Sequence, residues 1–443
     1  MRALHVLGLV VAGVGGATAV GITARAPRAP LRTESGARSR PGADSARIAR
    51  LLNALARTDP LVCDLIGDQL GNFWMGNDAA VGRFDDAPDV QGAKDSLHAG
   101  ITDPRAIALL QTTIGTDNAC VRRVAAKLLG NSTVSAAVLE RLLDDPSPRI
   151  RESAAYAAGV GEQPETRAAL ERRLADSSAA VAAMAAWALG EIENPASALA
   201  LQKALHSSSP RVRLASVWAL GQFEDASFAK DVVPLLRDAD PVMRATAAEA
   251  LGQMKSPRVG TALIGALTDR TAEVRRTAAN ALGNMHEQSA VAPLEGLLLN
   301  DPDPEVRREC ANALGNISLP RSLDPLARAL ADQDADVQRE AANAIGNLDD
   351  VTKAPAALIR ATTSPDIELR RRATDALADI GDSAAVQALI DRLRDEDKDI
   401  RLSAVKGLGE MNVAAAIPGL TRALNDRDPE VRQAAAEALG KTQ

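Results

Sequence analysis

The sequence predicts an all-α fold, a right-handed α–α superhelix (alpha solenoid) of about eleven repeats of ~31 residues behind a divergent N-terminal helical cap. Three observations carry this. A phrase close to V-R-x-A-A-A-x-A-L-G recurs down the C-terminal three quarters of the 443 residues. Every copy has a helix-start residue twelve positions before its end. Aromatic residues make up only 2% of the chain against 46% hydrophobic residues, so the core must be Ala, Leu and Val, which suits close-packed helices.

Before the repeats, residues 1–24 combine Arg2, an apolar stretch and the small-residue site Ala17-Thr18-Ala19, the pattern of a secretory signal peptide. Residues 4–22 are also just long enough for an uncleaved anchor. Arg25, Arg28 and Arg32 weigh against export, because positive charge tends to stay inside. The balance favours an exported chain, periplasmic or membrane-anchored with the solenoid outside, and membrane contact is expected through this segment alone. Residues 25–44, rich in Pro, Gly, Ser and Arg, read as a flexible linker. Residues 45–117 read as a helical capping region. Within it Ile48, Leu51, Leu52 and Leu55 mark one helix, Asp59-Pro60 opens another, and residues 71–94 form a loop carrying Phe73, Trp74 and Phe84.

The repeats occupy residues 118–443. Their closing positions, which number the repeats one to eleven below, are Gly130, Gly159, Gly190, Gly221, Gly252, Gly283, Gly315, Gly346, Ala378, Gly409 and Gly440. Twelve residues earlier stands Asn, Ser, Thr or Asp in every copy, from Asn118 to Asp428, able to accept from an orphan N–H of a first helical turn. Pro148, Pro210, Pro241, Pro304 and Pro429 follow, at the helical position that tolerates proline best. The closing glycine is read as a left-handed helix stop. An apolar segment with three- and four-residue spacing, such as Leu139, Leu142 and Leu143, precedes each phrase, so a repeat is a helix pair.

The full phrase D-x-x-P-x-V-R-x-A-A-A-x-A-L-G, as at residues 301–315 and 426–440, resembles the HEAT repeat. It is closest to the short bacterial subtype first associated with phycobiliprotein lyases, and the resemblance covers about residues 100–443. It implies a HEAT-like solenoid whose second helices line the concave side. It also implies a reading for two charged columns, Arg eight and Asp fourteen residues before the closing position. These hold Asp145 and Arg151, Asp238 and Arg244, Asp269 and Arg275, Asp301 and Arg307, Asp395 and Arg401, and Asp426 and Arg432. By the resemblance they form a ladder tying each interhelix turn to its neighbour; a charged binding groove is the alternative.

Two variable columns are candidates for function. Three residues before the closing position, consecutive repeats carry Tyr156, Trp187 and Trp218, either exposed anchors for apolar groups or fillers between alanine-lined helices. Seven before, four consecutive repeats carry Arg276, Arg308, Arg339 and Arg371, with Asn280, Asn312 and Asn343 four residues after the first three. Forked donors beside amides suit anionic groups; the alternative is a solvated face pairing with Glu273, Glu305 or Glu340. A net charge of −7 argues against a general nucleic-acid binder. The expected partner is therefore another protein or peptide segment, partly acidic, held by a non-catalytic scaffold. A chromophore or cofactor lyase or chaperone related to the phycobiliprotein lyases is the alternative, with the aromatic rungs gripping a flat ligand.

No catalytic residue, metal site or cofactor is expected: no phosphate loop or nucleophile–base pair is present, and His286-Glu287 is isolated. In an oxidising compartment Cys63 and Cys120 are expected to form a disulfide, while Cys310, in an alanine column, should be buried and inert. Helices packed roughly 8–10 Å apart give eleven repeats a contour on the order of 100 Å. Small-angle scattering should therefore report an elongated particle, and a compact globule would refute the stacking.

Overall fold

The computed structural model describes residues 43–57, 100–256 and 258–441. The signal or anchor segment, nearly all of the linker, the helix expected from Asp59-Pro60, the loop 71–94 and Cys63 lie outside the described residues. Among the described residues the fold is all-α, with short 3-10 turns and a single isolated bridge between Ile101 and Ser132. The chain divides into two compact units, residues 1–219 and 220–443, the division falling inside the helix Pro210–Gln222.

In the first unit the helix Ala43–Leu55 buries Ile48, Leu52 and Leu55 against the pair Pro104–Thr113 and Ala119–Gly130. It starts two residues inside the expected linker. Pairs Ala136–Leu143 with Pro148–Val160, and Arg167–Arg173 with Ala179–Ile192, follow. The second unit continues the pattern from Pro241–Met254 to Pro429–Lys441, each of these longer helices preceded by a shorter one. Helices of seven residues such as Val386–Arg392 are too short to persist alone. They hold because leucines including Leu139, Leu201, Leu263, Leu389 and Leu420 are fully buried.

The helix starts lie where the sequence puts them, and their chemistry is selective. Asn118, Asp240, Asp303, Asp334, Asp366 and Asp397 accept from backbone N–H groups of the first turn. Ser147, Ser178 and Thr271 occupy the same position without such a bond.

The helix stops are different from the sequence expectation. None of the described closing glycines has positive φ; the helices run on past most of them and turn left-handed further along, at Glu162, Glu193, Glu224, Lys255, His286, Ser318, Asp350, Gly381 and Asn412. The glycines serve interhelix packing instead. A Cβ on Gly190 would lie 2.9 Å from Ala219 Cα, on Gly283 2.7 Å from Ala313 Cα, and on Gly315 2.9 Å from Ala344 Cα. Where Ala378 breaks the glycine column, Gly407 of the next repeat replaces the usual alanine, and a Cβ there would come within 2.8 Å of Ala378 Cα. The close approach is kept with its partners exchanged.

Gly283→Ala should therefore destabilise the protein by about 1–3 kcal/mol through overpacking. Gly296→Ala, in a helix interior with nothing within 4 Å of the new methyl, should gain about 0.5–1 kcal/mol. Thermal melts of the two variants should move in opposite directions; a shared direction would remove the packing role.

Candidate functional site

Tyr156, Trp187 and Trp218 are buried, with 9%, 4% and 6% of their surface exposed. Tyr156 and Trp187 stack at 5.2 Å between ring centroids. The indoles pass over the closing glycines of the preceding repeats: a Cβ on Gly159 would lie 2.7 Å from Trp187 Cζ3, and one on Gly190 2.7 Å from Trp218 Cζ3. Burial pushes the Tyr156 phenol up to about 12. The expectation of exposed aromatic anchors is thus corrected, because the space above each bare glycine is what admits a large ring. The flat-ligand reading loses its supporting feature with them.

The charged columns form a ladder between repeats. Arg151 grips Asp176 with Nε and Nη2 at 2.8 and 2.7 Å, and Arg244 grips Asp269 at 2.7 and 2.8 Å. Arg275 with Asp301, Arg307 with Asp332, Arg370 with Asp395 and Arg401 with Asp426 repeat the fork. The remaining nitrogen donates to carbonyls of the arginine's own turn, for Arg244 those of Asp238 and Ala239. Arg432, at the last rung, donates to the carbonyls of Asp426 and Arg427, and Asp145 accepts from the Ser147 N–H. The Arg244 fork holds the Asp269 carboxyl below the usual carboxylate range, against the opposing push of burial.

The arginine stripe is a row of ion pairs. Arg276 binds Glu273 at 2.6 Å, Arg308 binds Glu305 at 2.6 Å, Arg339 binds Asp336 at 2.7 Å, and Arg371 binds Glu368. In each the acid lies three residues earlier, one helical turn away. Arg339 also binds Asp366 of the next repeat at 2.6 Å, on the rung where Gln338 and Ser364 replace the ladder pair. Of the two sequence readings, free forks for anions give way to preformed pairs, with Glu273 and Glu305 as two of the expected partners and Glu340 paired to Arg372 instead.

The amides and a column that the sequence reading passed over link these pairs across repeats. Asn280 donates to Glu309 at 2.8 Å and accepts from Asn284 at 2.9 Å; Asn316 donates to Asn312 at 2.8 Å; Asn343 donates to Glu340 at 2.9 Å. Arg372 reaches Glu340 at 3.3 Å and Glu368 at 2.9 Å. Glu309, Glu340 and Arg372 stand six residues before the closing position, a column otherwise of small or apolar side chains. Charge in such a column was the available signal. Burial pushes Glu249 up to about 7, with Glu273 adding to the shift and Arg276 opposing it. Glu309 and Asp375 are raised by burial as well.

Cys310 is fully buried and reduced, its thiol pushed up by burial. Cys120 is disulfide-bonded; Cys63, its expected partner, lies outside the described residues. His286 meets the Asn316 carbonyl at 2.6 Å. Among the described residues no helix is long and apolar enough to cross a membrane, and no three His, Cys, Asp or Glu side chains are grouped to hold a metal ion.

The sequence matches the family of HEAT repeats over residues 135–213, 198–279, 261–346, 328–403 and 386–443. The chain belongs to the HEAT-repeat family. This HEAT solenoid resembles solved structures of importin type. Importin beta shares 14% identity, with 89% of this chain and 61% of that one covered and a TM-score of 0.55. Kap95p with RanGDP shares 16% identity, with 90% and 60% covered and a TM-score of 0.52. The chain thus spans about three fifths of each. The CpcE–CpcF complex of phycocyanin lyase from Nostoc sp. PCC7120 shares 22% identity, covering 56% of this chain and 94% of that one, at a TM-score of 0.34. No curated protein matches the sequence.

Arg244→Ala should cost this HEAT protein about 2–4 kcal/mol, because it leaves the largely buried Asp269 carboxylate unpaired. Since the Asp269 pKa is depressed in the folded state, its contribution is present above the ordinary carboxylate value of ~4 and is lost as pH falls below it. Denaturant titrations from pH 7 to pH 3 should show the gap between wild type and variant narrowing toward acid. A constant gap would contradict the ladder's electrostatic role.

Proposed function

We propose that the protein is a non-catalytic protein-binding scaffold, and that an extended peptide segment lies along the second-helix face of repeats six to eight. The observation that carries this is the recurrence of carboxamides, one repeat apart, on a face whose arginines are already pinned. Asn280, Asn312 and Asn343 are each flanked four residues later by Asn284, Asn316 and Asn347. An amide offers two N–H donors and a carbonyl with two lone pairs. The internal bonds described above leave part of that capacity free, matching the donors and acceptors of a peptide main chain. HEAT arrays present long faces suited to such segments, and Kap95p, of like fold, binds RanGDP.

Export is part of this reading. The apolar stretch at residues 4–22 and the disulfide at Cys120 support it, since disulfides persist in oxidising compartments. The acidic character expected of the partner loses its basis, because the stripe arginines carry their own counter-charges.

Selection of a random peptide library on the full chain should enrich binders. Joint replacement Asn280→Ala, Asn312→Ala and Asn343→Ala should weaken them by about tenfold or more, the sum of several hydrogen bonds of about 0.5–1.5 kcal/mol each. The melting temperature should fall as well, because the buried Glu309 loses its donor Asn280, so affinities are compared at a temperature where wild type and variant are both folded. Failure to enrich any binder, or binders indifferent to all three changes, would overturn the proposal.

A further inference from the structure

The same face carries a surplus of acid that its internal pairs do not consume. On repeats five to ten, the positions that share this stripe of the second helices hold eleven carboxyl groups, from Glu249 to Glu410, and six cations. Four of the cations are the stripe arginines, each held by the acid one turn earlier, and a fifth, Arg372, lies between Glu340 and Glu368. Among the described residues Glu249, Glu309, Asp375, Asp379 and Glu410 have no cation within ion-pair distance. Burial raises the pKa of the first four. Glu309 is buried and Glu249 and Asp375 half-buried, while Asp379 is exposed, and the arginines nearby act on the first three without pairing with them.

A second, independent feature lies in the middle of this surplus. Arg276 is only 4% exposed, its Nε and Nη2 are spent on Glu273, and its Nη1 is buried with no hydrogen-bond partner. An unsatisfied buried donor is costly and is relieved by an acceptor brought to it. Its charge bears on both Glu249 and Glu309. A ligand that relieves all three must supply cations and a neutral acceptor together. A peptide with basic side chains does so, its main-chain carbonyl being the acceptor. A nucleic acid would bring phosphates against the surplus carboxylates.

We infer that this face takes an extended basic segment, with lysine or arginine side chains seated against Glu249, Glu309 and the Asp375–Asp379 pair and a main-chain carbonyl drawn toward Arg276. The inference rests on the peptide-binding reading above and adds the chemistry of the peptide. The acceptor groups stand on repeats five, seven and nine, two repeats apart. At roughly 8–10 Å per helix and ~3.3 Å per residue of extended chain, the cations fall about every five or six residues.

The test uses the full chain and three labelled synthetic peptides of equal length in a Gly/Ser background: one with lysine at every sixth position, one with glutamate there, one uncharged. Fluorescence anisotropy should show the lysine peptide binding at least tenfold tighter than the others, with affinity falling as salt rises. The near-isosteric changes Glu309→Gln and Asp375→Asn together should weaken it at least tenfold, and the exposed Asp379→Asn should weaken it without lowering the melting temperature. Equal affinity for lysine and glutamate peptides, or indifference to these variants, would overturn the inference. If the lysine peptide fails while library selection yields binders that need the asparagines, this inference falls and the scaffold reading stands. If neither experiment yields a binder, both fall.

Discussion

Within each unit, the spacing between consecutive second helices is set by a glycine on one helix meeting an alanine on the next. At 2.7–2.9 Å from a neighbouring Cα, a β-carbon has no room at Gly190, Gly283 or Gly315. Such contact gives the short, alanine-rich helices the packing density that a core poor in aromatics could not otherwise reach. The exchange of partners at Ala378 and Gly407 shows that the constraint acts on the pair. It also accounts for Trp187 and Trp218. Over a bare glycine a ring can lie flat against the preceding helix, so these side chains belong to the same packing scheme as the alanines elsewhere.

The arginine ladder depends on that spacing. A guanidinium can reach its own turn's carbonyls and the next repeat's carboxylate together only if the turns are held at a fixed distance. The fork is bidentate and mostly buried, which makes it directional and intolerant of a lone partner. Where Gln338 cannot supply it, Arg339 crosses to Asp366 instead. The rung survives, and one cation of the neighbouring column is committed to structure.

That commitment shapes the binding face. Arginines that look available as a column are anchored one turn back along their own helices, and the amides are tied into Glu309 and Glu340. What remains unspent is a set of desolvated carboxyls and one orphaned N–H of Arg276. The face is pre-organised, so little side-chain ordering is left to be paid for on binding, and its residual chemistry is opposite in sign to that of its most conspicuous residues.

The period, the helix pairs and the helix starts were legible in the sequence, because each is a local signal repeated at fixed spacing, and the Asp–Arg ladder was implied by the resemblance to HEAT repeats. Capping at Asp240 or Asp303 needs only the following turn. The role of the glycines was not legible: a helix-stop glycine and a close-packing glycine have the same residue and the same spacing, and only the position of the next helix separates them. Nor could the columns reveal their own exposure. Trp187 and Trp218 sit at the register of a polar face and are buried over Gly159 and Gly190 of the preceding helices, while Arg276 is paired with Glu273 and left with an unmet donor. The sequence determined the fold because folding here is a sum of repeated near-neighbour contacts. The tertiary structure decided which side chains of the face are buried, because burial depends on residues some thirty positions away, whereas the stripe pairs are local, each acid three residues before its arginine.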